Sequence, residues 1–388
     1  MRAARCSAAA AFAIQGFFLA VILTELPQQK SEFGLSDGLL AGSVAAISLI
    51  AGLGSVLAER IAMRWSSALA LRIGLFAIAI TGAGLALAPD ATWLIALLCV
   101  YGLGIGMVDA GANMQAVLVQ REYGRFILSS FYAAWSAGSI LGALFVSVCA
   151  AVDVALSTVI LVASAVVAAS ALVASRRLLD AAGRDRPPSS VHLPTPIPGR
   201  VLLGLGAVLG LAFGIDLAVG NWSALYLTDE LLSSPATAAL ALAAYQCAAL
   251  FSRLTGDPWV RRFGPRAVAR AAATMGAAGL ATVVFAAQPA VAIAGFVLAG
   301  VGSALLAPLC FGEIGSPAAG PDLEAAVARL NIFNYAGTLL GGGVVGVVAA
   351  VAGMRAGFVV PFVFALTLFG LARTFPARIL PESTNLPC

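Results

Sequence analysis

Two aspartates, Asp109 and Asp216, stand deep inside long apolar runs. A carboxylate at the centre of a bilayer costs at least about 2.5–3.5 kcal/mol, so ionisable groups there are few and usually serve function. At helical spacing Asp109 shares a face with Gly102, Gly106 and Asn113; Asp216 shares one with Gly220 and Ser223, beside Asn221 and Trp222. Small, polar faces suit a cavity lining, where either acid could carry a proton or bind a solute. The competing explanation is a buried structural hydrogen-bond acceptor. Glu25, just before Pro27 at the outer end of an apolar run, is either a solvated helix-end acid or a third proton-coupling group.

Neutral polar and aromatic side chains inside the same runs complete a candidate binding set: Gln15, Asn113, Gln115, Tyr132, Trp135, Asn221, Trp222, Tyr226, Gln246, Asn331, Asn334 and Tyr335. Amides both donate and accept, and rings stack on apolar faces, which together suit hydroxylated solutes such as sugars or other small polar metabolites. Each of these groups could equally serve as an interhelical hydrogen bond.

The elements that must position them follow from composition. Hydrophobic residues make up 61% of the 388 and charged residues only 10%, far from the mix of soluble domains, so the chain is expected to be an all-α membrane protein. Runs long enough to cross about 30 Å of hydrocarbon fall near 8–27, 38–58, 67–88, 92–118, 126–150 and 154–175, then near 201–228, 235–255, 267–287, 289–311, 327–352 and 355–374. These twelve spans predict two six-helix bundles, 1–175 and 201–388, joined by a Pro- and Arg-rich cytoplasmic linker over 176–200.

With the amino terminus inside, all but two of the 22 lysines and arginines, Lys30 and Arg355, lie on the cytoplasmic side, as the positive-inside rule requires. Both termini are therefore expected in the cytoplasm, in the cell membrane. The basic start and apolar core at residues 1–23 resemble a secretory signal, but the apolar stretch continues to Leu26 without a convincing cleavage site, and a retained first span is expected.

The six cysteines show no CxxC spacing and the sole histidine, His192, sits in the linker. A His-based metal site, a catalytic triad and a bound cofactor are not expected, so an enzyme is disfavoured. The arginines are spread over short loops rather than gathered with aromatic readers, which argues against a nucleic-acid partner.

The hexapeptide Ala137-Gly138-Ser139-Ile140-Leu141-Gly142 returns as Ala336-Gly337-Thr338-Leu339-Leu340-Gly341, 199 residues later. Gly102 and Gly104 likewise return as Gly300 and Gly302, and the pair Glu59 with Arg64 returns as Asp257 with Arg262. A membrane chain built by duplication suggests a transporter, because a site at a repeat interface can be opened to either side in turn. The glycines at helical spacing are expected mostly to let helix backbones approach closely.

These residues resemble the major facilitator superfamily. Gly54 to Arg60 with Arg64 is similar to a degenerate form of that family's loop motif between helices 2 and 3, and Gly256 to Arg266 is a closer copy. The resemblance implies a cytoplasmic charge relay that favours the outward-open state, assigned to Asp257, Arg253 and Arg262, with Glu59 and Arg64 as the weaker counterpart. Gly102-x-Gly104 through Asp109 to Asn113, Asn221 to Leu227, and Tyr335-Ala336-Gly337 resemble the fucose-permease-like branch. That branch implies proton-coupled symport of a sugar-like solute with acids in helices 1 and 4, which Glu25 and Asp109 would match. The chain departs from the branch in carrying Glu25 where many relatives have arginine, and Asp216 with Asn221 where Glu and Asp are common.

The expectation is thus a monomeric secondary active transporter moving a small polar solute with protons by alternating access. The alternatives are a proton-antiport exporter of a drug or metabolite, and a transport-inactive receptor or scaffold.

Overall fold

The structure, a computed structural model, describes residues 1–35, 37–179, 198–315 and 321–377. Apolar sequence in hydrocarbon must satisfy every backbone polar group within its own segment, which leaves the α-helix as the available element for runs of this length. No strand occurs among the described residues. In the first half the helices are α1 Arg2–Thr24, α2 Asp37–Arg64, α3 Ser67–Ala86, α4 Ala91–Tyr123, α5 Leu128–Ala151 and α6 Leu156–Ala174. In the second they are α7 Gly199–Leu225, α8 Pro235–Phe263, α9 Pro265–Val284, α10 in two pieces (Pro289–Ser303 and Leu306–Ile314), α11 Pro321–Leu339 continued to Ala352, and α12 Met354–Leu371.

Eleven helices among the described residues are long and apolar enough to cross a membrane. The run expected over 235–255 is also helical, but α8 continues to Phe263 and carries Arg253, Asp257, Arg261 and Arg262 in its last three turns. Most of the expected linker, with His192, lies outside the described residues.

Helix starts are written locally. Ser66 caps α3 by accepting from the Leu69 amide at 3.1 Å, Asp90 accepts from the amides of Thr92 and Trp93 at the head of α4, and Ser234 caps α8. Prolines open α8, α9 and α10, where a missing N–H costs nothing. The turn from α8 to α9 passes through Gly264 at φ 81°, a left-handed conformation that side chains resist.

The chain forms two compact units. The first comprises Met1–Val119, Phe131–Ile197 and Pro317–Tyr335. Its helices meet through glycine: a Cβ on Gly138 or Gly142 of α5 would lie 2.0 Å and 2.3 Å from the carbonyl oxygens of Ala13 and Phe17 on α1, and one on Gly106 of α4 would lie 1.9 Å from that of Ala51 on α2. Without a hydrophobic push between helices in lipid, such backbone contact supplies the packing. Phe18 and Tyr101 pack edge-to-face at 5.7 Å in its core.

The second unit comprises Gln120–Ser130, Pro198–Ser316 and Ala336–Cys388. Here the second copy of the hexapeptide does the same work, for a Cβ on Gly337 or Gly341 would lie 2.1 Å from the carbonyl oxygens of Gly210 and Gly214 on α7. The core holds Tyr226, Phe296 and Phe358 in a cluster of tilted rings.

Candidate functional site

Asp109 lies midway along α4 in the first unit. Its Oδ1 accepts a hydrogen bond from Gln15 Nε2 of α1, and its Oδ2 accepts one from Tyr335 Oη at 2.5 Å. Gln15 is only 3% exposed. Both donors are neutral, and among the described residues no lysine, arginine or histidine forms an ion pair with Asp109. A carboxylate held only by neutral donors can accept a proton without leaving a counter-charge stranded.

A polar network continues from it. Asn113 Nδ2 donates to the Asp109 carbonyl at 2.9 Å, and Tyr132 Oη donates to Asn113 Oδ1 at 2.9 Å. The Phe12 ring lies 5.4 Å from that of Tyr132. Asn331, one turn before Tyr335, donates to Ser55 Oγ at 3.0 Å, and Ser55 donates to the Gly106 carbonyl. The Tyr101 hydroxyl is buried on the same helix as Asp109 with no protein hydrogen-bond partner. Gly102 and Gly106, expected beside Asp109 as lining, are instead backbone contacts with Ile47 and Ala51 of α2.

Asp216 lies on α7 in the second unit and is built differently. Its Oδ1 accepts from Tyr245 Oη of α8, and Ser303 Oγ of α10 closes a triangle with them, its one proton shared between the 2.6 Å contact with Tyr245 and the 3.2 Å contact with Asp216 Oδ1. Its Oδ2 faces Arg253 Nη2 at 3.7 Å. The sequence marked Asp216 as an acid within a span but gave no sign of which groups, Tyr245, Arg253 and Ser303, it would meet.

The remaining candidates divide. Trp222 Nε1 donates to the Gly342 carbonyl at 3.3 Å, in the π-helical turn Leu340–Val344 that extends α11. Asn221 and Gln246 are exposed, Trp135 is half-buried and Asn334 is buried. Glu25 ends α1 and is 4% exposed rather than solvated. Two candidate ligand contacts are engaged within the fold. Gln115 is fully buried and spends its amide on Ser67 and on both backbone groups of Leu179, tying the end of α6 to α4. Tyr226 is fully buried among aromatic rings, with its hydroxyl on the Val283 carbonyl at 2.6 Å.

The charge relay also takes another form. Asp257 accepts from the backbone amides of Ser129 at 2.9 Å and Ser130 at 3.2 Å, capping the start of α5 within the second unit. Arg261, which the resemblance did not single out, donates to the Phe126 carbonyl just before that cap. Arg253 points to Asp216 instead of joining Asp257, and Arg262 lies over the Phe263 ring. Glu59 pairs at 3.2 Å with Arg329 of α11, which the sequence did not flag, while Arg64 lies over the Trp65 ring.

Comparison with known proteins agrees with this architecture. The family model described as Major Facilitator Superfamily matches residues 2–143 and 202–386. An uncharacterized transporter of Sinorhizobium fredii is 31% identical over 369 residues, covering 94% of this chain and 96% of its own. Among solved structures, FucP, the fucose:proton symporter of E. coli, seen in the outward conformation, superposes with a TM-score of 0.79 at 18% identity, over 95% of this chain and 97% of FucP. The human organic anion transporter MFSD10 superposes with a TM-score of 0.77 at 15% identity, over 96% and 99% of the two chains.

Proposed function

The chain belongs to the Major Facilitator Superfamily, and on that premise we propose that it couples the movement of a small polar solute to protons, with Asp109 as the proton-carrying group. Membership makes it an integral membrane transporter of small-molecule solutes rather than an enzyme. The coupling step rests on one observation, the neutral hydrogen-bond set around Asp109.

In the charged state Gln15 and Tyr335 stabilise the carboxylate; in the protonated state a buried charge disappears, and the two donors are held less tightly. Because Gln15 lies on α1 and Tyr335 on α11, the proton changes which arrangement of those helices is cheaper. A ligand or proton shifts a conformational equilibrium only through such differential contacts. The solute is taken to be hydroxylated, contacting Asn113, Tyr132, Trp135, Asn221, Trp222, Gln246, Asn331, Asn334 and Tyr335 together with Gln15. The similarity to a fucose:proton symporter supports this choice.

The chain is taken to act as a monomer in the cell membrane with both termini cytoplasmic, following the arginine distribution, and to expose its site alternately through two six-helix halves, 1–175 and 201–388. The Asp257 cap on α5 and the Glu59–Arg329 pair are the ties that such a cycle must break and remake.

Reconstituted Asp109→Asn protein is expected to lose proton-driven accumulation while retaining counterflow exchange of the same solute. Unaltered accumulation would overturn the coupling role of Asp109; absence of any exchange by the wild-type chain would overturn transport of the solute tested.

A further inference from the structure

Ser55 of α2 is wholly buried within the polar network around Asp109. A hydroxyl carries one proton and two lone pairs. The Ser55 proton goes to the Gly106 carbonyl at 3.2 Å, and one lone pair accepts from Asn331 Nδ2 at 3.0 Å. The second lone pair is open to another donor. Asn331 presents its nitrogen to Ser55, and its Oδ1 is buried without a hydrogen-bond partner. The Tyr335 hydroxyl donates to Asp109 Oδ2 at 2.5 Å and is also in hydrogen-bond contact with Ser55 and Asn331.

A proton on Asp109 changes these bonds in a definite order. Gln15 Nε2 can only donate, so Oδ1 keeps that hydrogen bond and the proton takes Oδ2. From Oδ2 it is donated to Tyr335 Oη, which must then turn its own proton elsewhere. A buried hydroxyl proton left without an acceptor is costly. The open lone pair of Ser55 accepts it with no rearrangement, whereas the Asn331 oxygen would first have to turn over and withdraw Nδ2 from Ser55. The titratable groups facing Asp109 are Tyr335 of α11 and Tyr101 of its own helix. Of the other helices against α4, α1 brings Gln15, α3 meets it through Gly74 and Ile78, and α5 reaches Asn113 with Tyr132. Glu59 of α2 pairs with Arg329 of α11.

We propose that Ser55 is a positioning residue for the proton: it receives the Tyr335 hydroxyl hydrogen bond when Asp109 is protonated, and so carries the state of α4 into the contact between α2 and α11. This rests on the reading of Asp109 as the proton-carrying group and deepens it. The one covalent bond that forms is Oδ2–H, with a proton given up by hydronium. Tyr335 and Ser55 keep their own protons, and the Tyr335 O–H turns from α4 to α2. The contact between α2 and α11 already holds the Asn331–Ser55 hydrogen bond and, one turn along α2, the Glu59–Arg329 pair. Protonation adds a further tie at that contact. A bond made in one protonation state only is the differential contact through which a proton shifts a conformational equilibrium.

The test reads the Asp109 carboxyl directly, by pH-difference infrared spectroscopy of the purified full-length chain in lipid. Its band is assigned by its absence in Asp109→Asn, and no solute is needed. Ser55→Ala removes an oxygen without adding bulk and strands the Tyr335 proton only when Asp109 is protonated. Proton binding is expected to weaken by about tenfold, so that the midpoint of the band falls by about one pH unit. In a Tyr335→Phe background Ser55→Ala is expected to cause no shift, since no hydroxyl proton is left to place. Asn331→Leu, which removes the competing acceptor, is expected to move the midpoint less than Ser55→Ala does. A midpoint unmoved by Ser55→Ala would overturn the proposal, as would a shift of equal size with Tyr335→Phe present, which marks a packing effect. So would a larger shift in Asn331→Leu, which hands the role to the amide. If wild type shows no Asp109 band titrating between about pH 4 and 9, the proton-carrying reading itself fails. A band that titrates yet ignores Ser55→Ala sinks the Ser55 role alone.

Discussion

Asp109 and Asp216 are both acids inside spans of a duplicated chain, yet their surroundings have opposite character. Asp109 is held by an amide and a phenol and carries no paired cation among the described residues; Asp216 stands in a triangle with two hydroxyls and faces a buried arginine. The duplication does not account for either. The offset that carries Gly102 and Gly104 onto Gly300 and Gly302 carries Asp109 onto Ala307, and the packing match of Ala13 with Gly210 and of Phe17 with Gly214 sets Asp216 opposite Leu19. The repeats thus share their seams and differ in their chemistry. A lone carboxylate suits a group that exchanges a proton, whereas a charge pair suits one that ties helices together.

The contrast breaks most visibly at Arg253. Replacing it with Gln strands Asp216, and loss of one member of a buried pair costs about 3–5 kcal/mol; a large drop in melting temperature is expected, relieved when Asp216→Asn is added. A melting temperature equal to wild type for Arg253→Gln alone would mean that the two charges do not depend on each other. The shared seams give the next effect. Gly138→Ala and Gly337→Ala force a methyl against a backbone carbonyl at 2.0 Å and 2.1 Å, and overpacking of this kind costs about 1–3 kcal/mol. The two losses should match within error in urea or thermal unfolding, and a twofold disparity would show that the repeats pack differently.

A smaller effect is expected at Tyr335. Tyr335→Phe removes one donor from the Asp109 carboxylate, a charge-assisted hydrogen bond of about 1.5–3 kcal/mol. Proton-driven uptake should fall by about tenfold or more while the thermal stability of Arg253-dependent features is unchanged; uptake equal to wild type would remove Tyr335 from the coupling set.

The smallest concerns Glu25, at the end of α1. Burial pushes its carboxyl above the ordinary value, so the folded chain holds that proton more tightly than the unfolded chain does. Stability from this group is then greatest below the ordinary glutamate range and declines as pH rises through the raised value. Glu25→Gln should therefore melt slightly higher than wild type at pH 8 and identically at pH 4, and a gap that widens toward low pH would reverse the assignment.

Much of this was legible in the sequence. Apolar runs fixed the helices because length against bilayer thickness is a strong constraint, and the repeated hexapeptide marked α5 and α11 as closely packed without saying that α1 and α7 would be their partners. Asp109 stood out because a charge within an apolar run is conspicuous. Its partners did not, since nothing in Gln15 or Tyr335 says which of several polar groups each will meet. Gln115 and Tyr226 show the same gap from the other side: a polar residue in a span can satisfy a neighbouring carbonyl as readily as a solute. The resemblance assigned Arg253 to the Asp257 motif, whereas its guanidinium faces Asp216 of α7.

The glycine seams have a further consequence. At Gly138, Gly142, Gly337 and Gly341 the helices meet backbone to backbone, so the geometry of each seam is specified by the absence of side-chain atoms, on one face only. The opposite faces of the same helices remain free to carry any residue that a new cargo demands. A scaffold of this kind can be retooled for another solute by a handful of substitutions while its internal seams stay untouched.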